Sequence, residues 1–203
     1  MAVKGRVKSE EKRLQILHAA IALFTELGFS NTSMDRIAKE AGVSKQTVYS
    51  HYENKEQLFV AAVGHKCIAH ELTDELFDTD ADLRETLVQV AIRFNQLILS
   101  EEAVKTYRTC VAQADTHPQL SQLFFEAGPK RVISQVSGYL LRMVQVGKLK
   151  IDNIDNASSQ FLLMAQSRDR MCCELGVPLV QNEQERIAYL RSCVDLFLQS
   201  YGV

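Results

Sequence analysis

The first 117 residues of this 203-residue chain contain no proline, and its only three prolines are Pro118, Pro129 and Pro178. Nothing in that stretch interrupts a helix, and no segment sustains the alternation of a half-buried strand. Apolar residues recur instead at spacings of three and four, as at Leu14, Leu17, Ile21, Phe24 and Leu27, which marks one buried face of a helix. The fold class is therefore all-α. Gly28 stops that first helix; Thr32 or Ser33 caps a second reaching Ala41; Ser44 caps a third over Lys45–His51; Asn54 caps a fourth from Lys55 to about Phe77. Further helices are expected over 83–100, 102–115, 118–127, 129–147, 156–175 and 183–200. Pro118 and Pro129 suit a first helical turn, whereas Gly128, Gly147 and Gly176 suit left-handed helix ends.

Composition narrows the class. Hydrophobic residues make up 46% and charged residues 24%, ordinary usage for a folded domain and unlike that of a disordered chain. The longest apolar runs, Ala19–Phe24 and Leu58–Val63, hold six residues, against the roughly 20 needed to span a bilayer. The start, MAVKGRVKSEEKRL, is charged where a signal peptide would be apolar, so a cytoplasmic protein is expected. Five cysteines without a C-x-x-C pair suit a reducing compartment and offer no zinc site. The net charge of −2 hides an asymmetry: residues 1–66 carry ten Lys/Arg against seven Asp/Glu, and residues 67–203 thirteen against eighteen. A basic N-terminal third suggests a nucleic-acid face there.

The informative spacing lies in residues 28–55. Two short helices joined by Gly42-Val43-Ser44 form a helix-turn-helix, with Ile37, Ala38, Val43 and Val48 as its small core. In such a unit the first turn of the second helix meets base edges in the major groove. Lys45, Gln46 and Thr47 occupy that turn and supply a donor for guanine, a bidentate amide for adenine, and a hydroxyl and methyl for thymine. Tyr49, His51 and Lys55 add donors suited to phosphates, while the Tyr52 ring suits packing between helices. Upstream, Lys4, Arg6, Lys8, Lys12 and Arg13 form either a basic arm that tracks DNA or a solvated terminus.

The run ILHAAIALFTELGFSNTSMDRIAKEAGVSKQTVYSHYENKEQLFVAAV resembles the DNA-binding domain of the TetR family of bacterial transcriptional regulators. The matching features are LFTELGF, then T-S-x-x-x-I-A-x-x-A-G-V-S-x-x-T-x-Y, then H-Y-x-x-K-x-x-L. The resemblance implies that Ser44 caps a recognition helix whose Lys45, Gln46 and Thr47 face the groove. It also implies that Tyr49, His51 and Lys55 meet phosphates, and that Thr32 or Ser33 touches the backbone. Gln46 stands where many members carry glycine, so the operator sequence does not transfer from relatives. The chain from Tyr107 to Gly176 is similar to the C-terminal region of AefR-like members, which implies a small-molecule effector and a homodimer. A DNA-binding domain over 1–54, a linking helix over 55–77 and a ligand and dimerisation domain over 78–203 are expected.

In that C-terminal part Phe94, Tyr107, Phe124, Phe125, Tyr139, Phe161 and Met164 are candidates to line an effector site, with Arg108, His117 or Arg168 as polar anchors. Phe161, Leu162, Met164, Leu190, Val194, Phe197 and Leu198, on the last two helices, outnumber the positions of one inner face and are the expected dimer interface, where a two-fold pair would read a palindrome. Double-stranded DNA, an effector and a second copy of the chain are thus the expected partners; no cofactor, metal or membrane is. Oxidation of Cys172 or Cys173 is an alternative signal, and activation rather than repression an alternative output. No metal-hydrolase H-E-x-x-H, glycine-rich phosphate loop or G-x-S-x-G occurs, so a helical enzyme is not expected.

Overall fold

A computed structural model describes the backbone of residues 2–69 and 74–203 and the side chains of 10–65 and 76–203. The helices are α1 (Ala2–Leu27), α2 (Met34–Glu40), α3 (Lys45–His51), α4 (Lys55–Ala69), α5 (Leu83–Leu99), α6 (Glu101–Ala112), α7 (Pro118–Ala127), α8 (Pro129–Gln145), α9 (Ile154–Leu175) and α10 (Glu183–Tyr201), with a 3-10 turn at Asp74–Phe77. Among the described residues there is no strand, only an isolated bridge between Leu149 and Gly202. No described helix is long and apolar enough to cross a membrane. The single fourth helix expected to Phe77 is two elements, α4 and the 3-10 turn, and residues 70–73 between them lie outside the described residues.

The chain divides into two compact units, one of residues 1–65 with 105–127 and the other of 66–104 with 128–203. The first extends beyond the expected 1–54 domain because most of α4, most of α6 and all of α7 are built into it. Its core holds Ile16, Leu17, Ala20, Leu23 and Phe24 of α1, Ile37, Val48, Leu58 and Phe59, and also Cys110 and Leu120. On α1 the buried stripe is centred on Ala20, so Leu14, roughly 120° around the helix at 100° per residue, is 41% exposed. The backbone is already helical from Ala2, because Lys, Arg and Glu are good helix formers and no proline intervenes. The expected basic arm is therefore the leading part of α1; the side chains of Lys4, Arg6 and Lys8 lie outside the described residues. Phe24, Phe29 and Phe59 make a three-ring cluster with centroids 5.2–5.7 Å apart.

In the second unit α5 packs on α9 and α10, and α9 also packs on α8 and α10. Its core gathers Leu87, Val90, Ala91, Tyr139, Leu140, Met143, Phe161, Leu190, Val194 and Phe197. Inside α9, Ser167 leaves helical geometry (φ 60°, ψ 172°) and kinks the helix. Side chains take up the carbonyls around this break: Tyr189 donates to Met164 O, and Asn95 donates to Ala165 O. Gly128 is not a left-handed end; at φ −114° it is the residue before Pro129, which opens α8.

Candidate nucleic-acid interface

The turn between α2 and α3 is built from local chemistry. Ser33 caps α2, its Oγ accepting from Arg36 N at 3.2 Å, and Ser44 caps α3, accepting from Thr47 N at 3.1 Å. Gly42 turns the chain at φ +65°, a conformation costly for any residue with a Cβ. Val43 N then donates to Ala38 O at 3.0 Å. Ile37, Ala38 and Val48 are buried and lock α2 against α3. With Val48 inward, Lys45, Gln46, Tyr49 and Ser50 are exposed to solvent on α3.

That exposed face carries unequal chemistry. The Gln46 amide has no intramolecular partner among the described residues, so its donor and acceptor are both available. Lys45 Nζ lies 2.7 Å from Asp35 Oδ1, and this hydrogen bond and charge raise the lysine above its ordinary pKa. The Thr47 hydroxyl is 2.8 Å from that of Ser44. Tyr49 is 46% exposed and His51 is half-buried at the C-terminal end of α3. From the sequence Asp35 reads only as a first-turn carboxylate that suits the helix dipole; neither its contact with Lys45 nor the exposed Arg36 was expected at this face, because no fixed spacing relates α2 to α3 across a turn.

Two expected phosphate contacts face inward instead. Thr32 is 2% exposed, and its hydroxyl is directed at Gly28 O (2.8 Å) and Leu23 O (3.2 Å), closing the C-terminal end of α1. Lys55 donates to Phe29 O at 2.7 Å and Thr32 O at 2.9 Å, and its ammonium lies 4.2 Å from the centre of the Phe29 ring. Burial pulls its pKa below the usual lysine value. Carbonyls at the α1–α2 junction can accept further donors, and these two side chains supply them. Tyr52 is buried in the same core, as expected.

The candidate effector residues fall in both units. Tyr107 and Phe124, half-buried with rings 6.3 Å apart, and the exposed Arg108, His117 and Phe125 belong to the first. Phe94, Tyr139, Phe161, Met164 and Arg168 belong to the second. Tyr139 and Phe161 are fully enclosed in its core and present no surface to a ligand, and Phe94 is only 7% exposed there. Met164 is half-buried and Arg168 exposed.

The expected dimer residues need a similar correction. Phe161, Leu162, Leu190, Val194 and Phe197 are buried in the chain's own core, and Leu198 packs against it, because α9 and α10 turn these positions toward α5 and α8. The apolar side chains left outside on the two helices are Leu163, Met171, Leu175 and Leu196. Cys172 is buried, and burial raises the Cys173 thiol, the opposite of the environment that makes a reactive thiolate. Among the described residues no cluster suits a metal ion.

Comparison with known proteins agrees with this architecture. Residues 16–62 match the family described as bacterial regulatory proteins, tetR family, and residues 85–203 match the AefR-like transcriptional repressor C-terminal domain. AcrR of Shigella flexneri is 42% identical over 59 residues, 29% of this chain and 27% of AcrR. ArpR of Pseudomonas putida is 34% identical over 106 residues, 49% of each chain. The chain thus spans about a quarter to a half of these curated relatives. Among solved structures, a TetR-family regulator from Mesorhizobium loti MAFF303099 superimposes with a TM-score of 0.78 at 29% identity, over 96% of this chain and 98% of that one. The flavonoid-responsive regulator FrrA does so with 0.75 at 29%, over 95% and 98%. A capped, solvent-facing α3 on a small helical core, followed by a C-terminal part matching the AefR-like pattern throughout, has one family assignment: this chain belongs to the TetR family of DNA-binding transcriptional regulators.

Proposed function

We propose that the chain is a repressor that binds a palindromic operator as a homodimer and is released by a small-molecule inducer. Lys45, Gln46 and Thr47 read base edges. Ser33, Ser44, Tyr49 and His51 lie around them to meet phosphates. The observation that carries this reading is the Gln46 amide, exposed on α3 and without a partner among the described residues, as suits a base-reading group. Repression is favoured by the description of the matching C-terminal family, and small-molecule control by FrrA, whose name declares a response to flavonoids.

Coupling has a physical route within the first unit, where α6 and α7 share a core with the DNA-binding helices. Ser30 Oγ donates to Gln113 Oε1 at 2.9 Å, and a Cβ added at Gly28 would stand 3.5 Å from Thr109. An effector that displaces α6 would move the end of α1, and through Lys55 the start of α4. Differential binding worth about 1–3 kcal/mol is typical of such coupling.

Selection of bound fragments from random duplex DNA tests the reading. A palindrome with half-sites about one helical turn apart is expected. Gln46→Ala should relax preference at one position per half-site and cost about 1–3 kcal/mol there. Selection that returns no sequence, or a Gln46→Ala profile identical to wild type, overturns the role of α3.

A further inference from the structure

Asp35 and Lys45 belong to different helices, yet the structure joins them at the exposed end of the helix-turn-helix. Asp35 is in the first turn of α2, after the Ser33 cap, and Lys45 opens α3, after the Ser44 cap. Their charges lie 2.7 Å apart with side chains 63% and 59% exposed, respectively. A carboxylate suits its position, since the N-terminal end of a helix is electropositive; a lysine at the first position of α3 does not, for the same reason. Asp35 offsets that misfit.

The pair changes what Lys45 offers to DNA. While it persists, the pair leaves the ammonium no net positive charge to offer the face. Phosphate contacts are available on every duplex, whereas paired acceptors such as guanine O6 and N7 exist only at matching bases. Giving up a 2.7 Å ion pair for one diffuse phosphate contact gains little. Exchanging it for a directed contact to a base gains more.

We propose that Asp35 is a specificity-determining residue of the DNA interface, holding Lys45 away from phosphates on unmatched duplexes and yielding it to base acceptors on the matched site. This rests on the reading of α3 given above. Asp35 acts through Lys45 and is a positioning residue.

The test uses the full chain as wild type, Asp35→Asn, Lys45→Met and the double variant. Binding is measured against salt on a random-sequence duplex and on the duplex recovered by selection. Asp35→Asn should tighten random-duplex binding about tenfold at low salt and steepen log K against log salt by about 0.9, the signature of one more cation at the phosphates. Binding to the selected duplex should tighten by less than about threefold, so the specificity ratio falls. In the Lys45→Met background the Asp35→Asn effect should vanish, which is the coupling a double-mutant cycle isolates. Equal tightening on both duplexes, or the same gain without Lys45, would show a carboxylate that merely repels phosphate and overturns the proposal. The two levels fail differently. Wild type that selects no sequence sinks the reading of α3 and this role with it, whereas wild type that selects a sequence while Asp35→Asn changes nothing sinks only the role of Asp35.

Discussion

A lysine at the start of a helix beside a DNA-reading element suggests a phosphate contact, but Lys55 spends its donors on two carbonyls of its own chain. Those partners, Phe29 and Thr32, lie 26 and 23 residues away, beyond any local rule. Lys55→Met should therefore lower stability by about 1–3 kcal/mol, the usual cost of losing charge-assisted hydrogen bonds to part-buried carbonyls. Chemical denaturation followed by circular dichroism measures it. The salt dependence of random-duplex binding should stay unchanged; a slope shallower by about 1 would return Lys55 to the phosphates. Gln46 was legible from sequence for the converse reason: its exposure needs only the helix register and an inward Val48. The ion pair of Lys45 with Asp35 was not legible, since it depends on how two helices cross.

At the level of elements, the ends of the helices were the most readable feature, because caps and left-handed glycines are written in single residues. Gly42 is the clearest instance. Its φ is +65° and a Cβ there would meet nothing within 4 Å, so substitution costs backbone strain alone. Gly42→Ala should destabilise by about 1–2 kcal/mol, and Gly42→Asn by less, because asparagine tolerates this conformation better. Thermal unfolding of the two variants gives the order. Faces were harder to read than ends. The apolar positions of α9 and α10 were numerous enough to suggest a second copy, yet α5 and α8 cover Phe161, Leu190 and Phe197 from within the same chain. The kink at Ser167 was not legible at all, since neither proline nor glycine stands there and its supports, Asn95 and Tyr189, come from other helices.

At the scale of the whole molecule, a dimer formed through α9 and α10 would use what those helices leave outside. Leu163 and Leu196 are 64% and 55% exposed, and introducing charge there should cost the fold little. Leu163→Glu with Leu196→Glu should turn a dimer into a monomer in sedimentation, with helicity retained and operator binding lost. A variant that remains dimeric places the interface elsewhere. The order of helices was legible throughout, but the division of the chain was not: nothing local to residues 105–127 tells that they complete the core begun by α1–α4. Their membership has a consequence for synthesis. Cys110 and Leu120 close a core whose other walls leave the ribosome much earlier, so the unit that carries α3 stays unfinished until translation has passed α7, more than half-way along the chain.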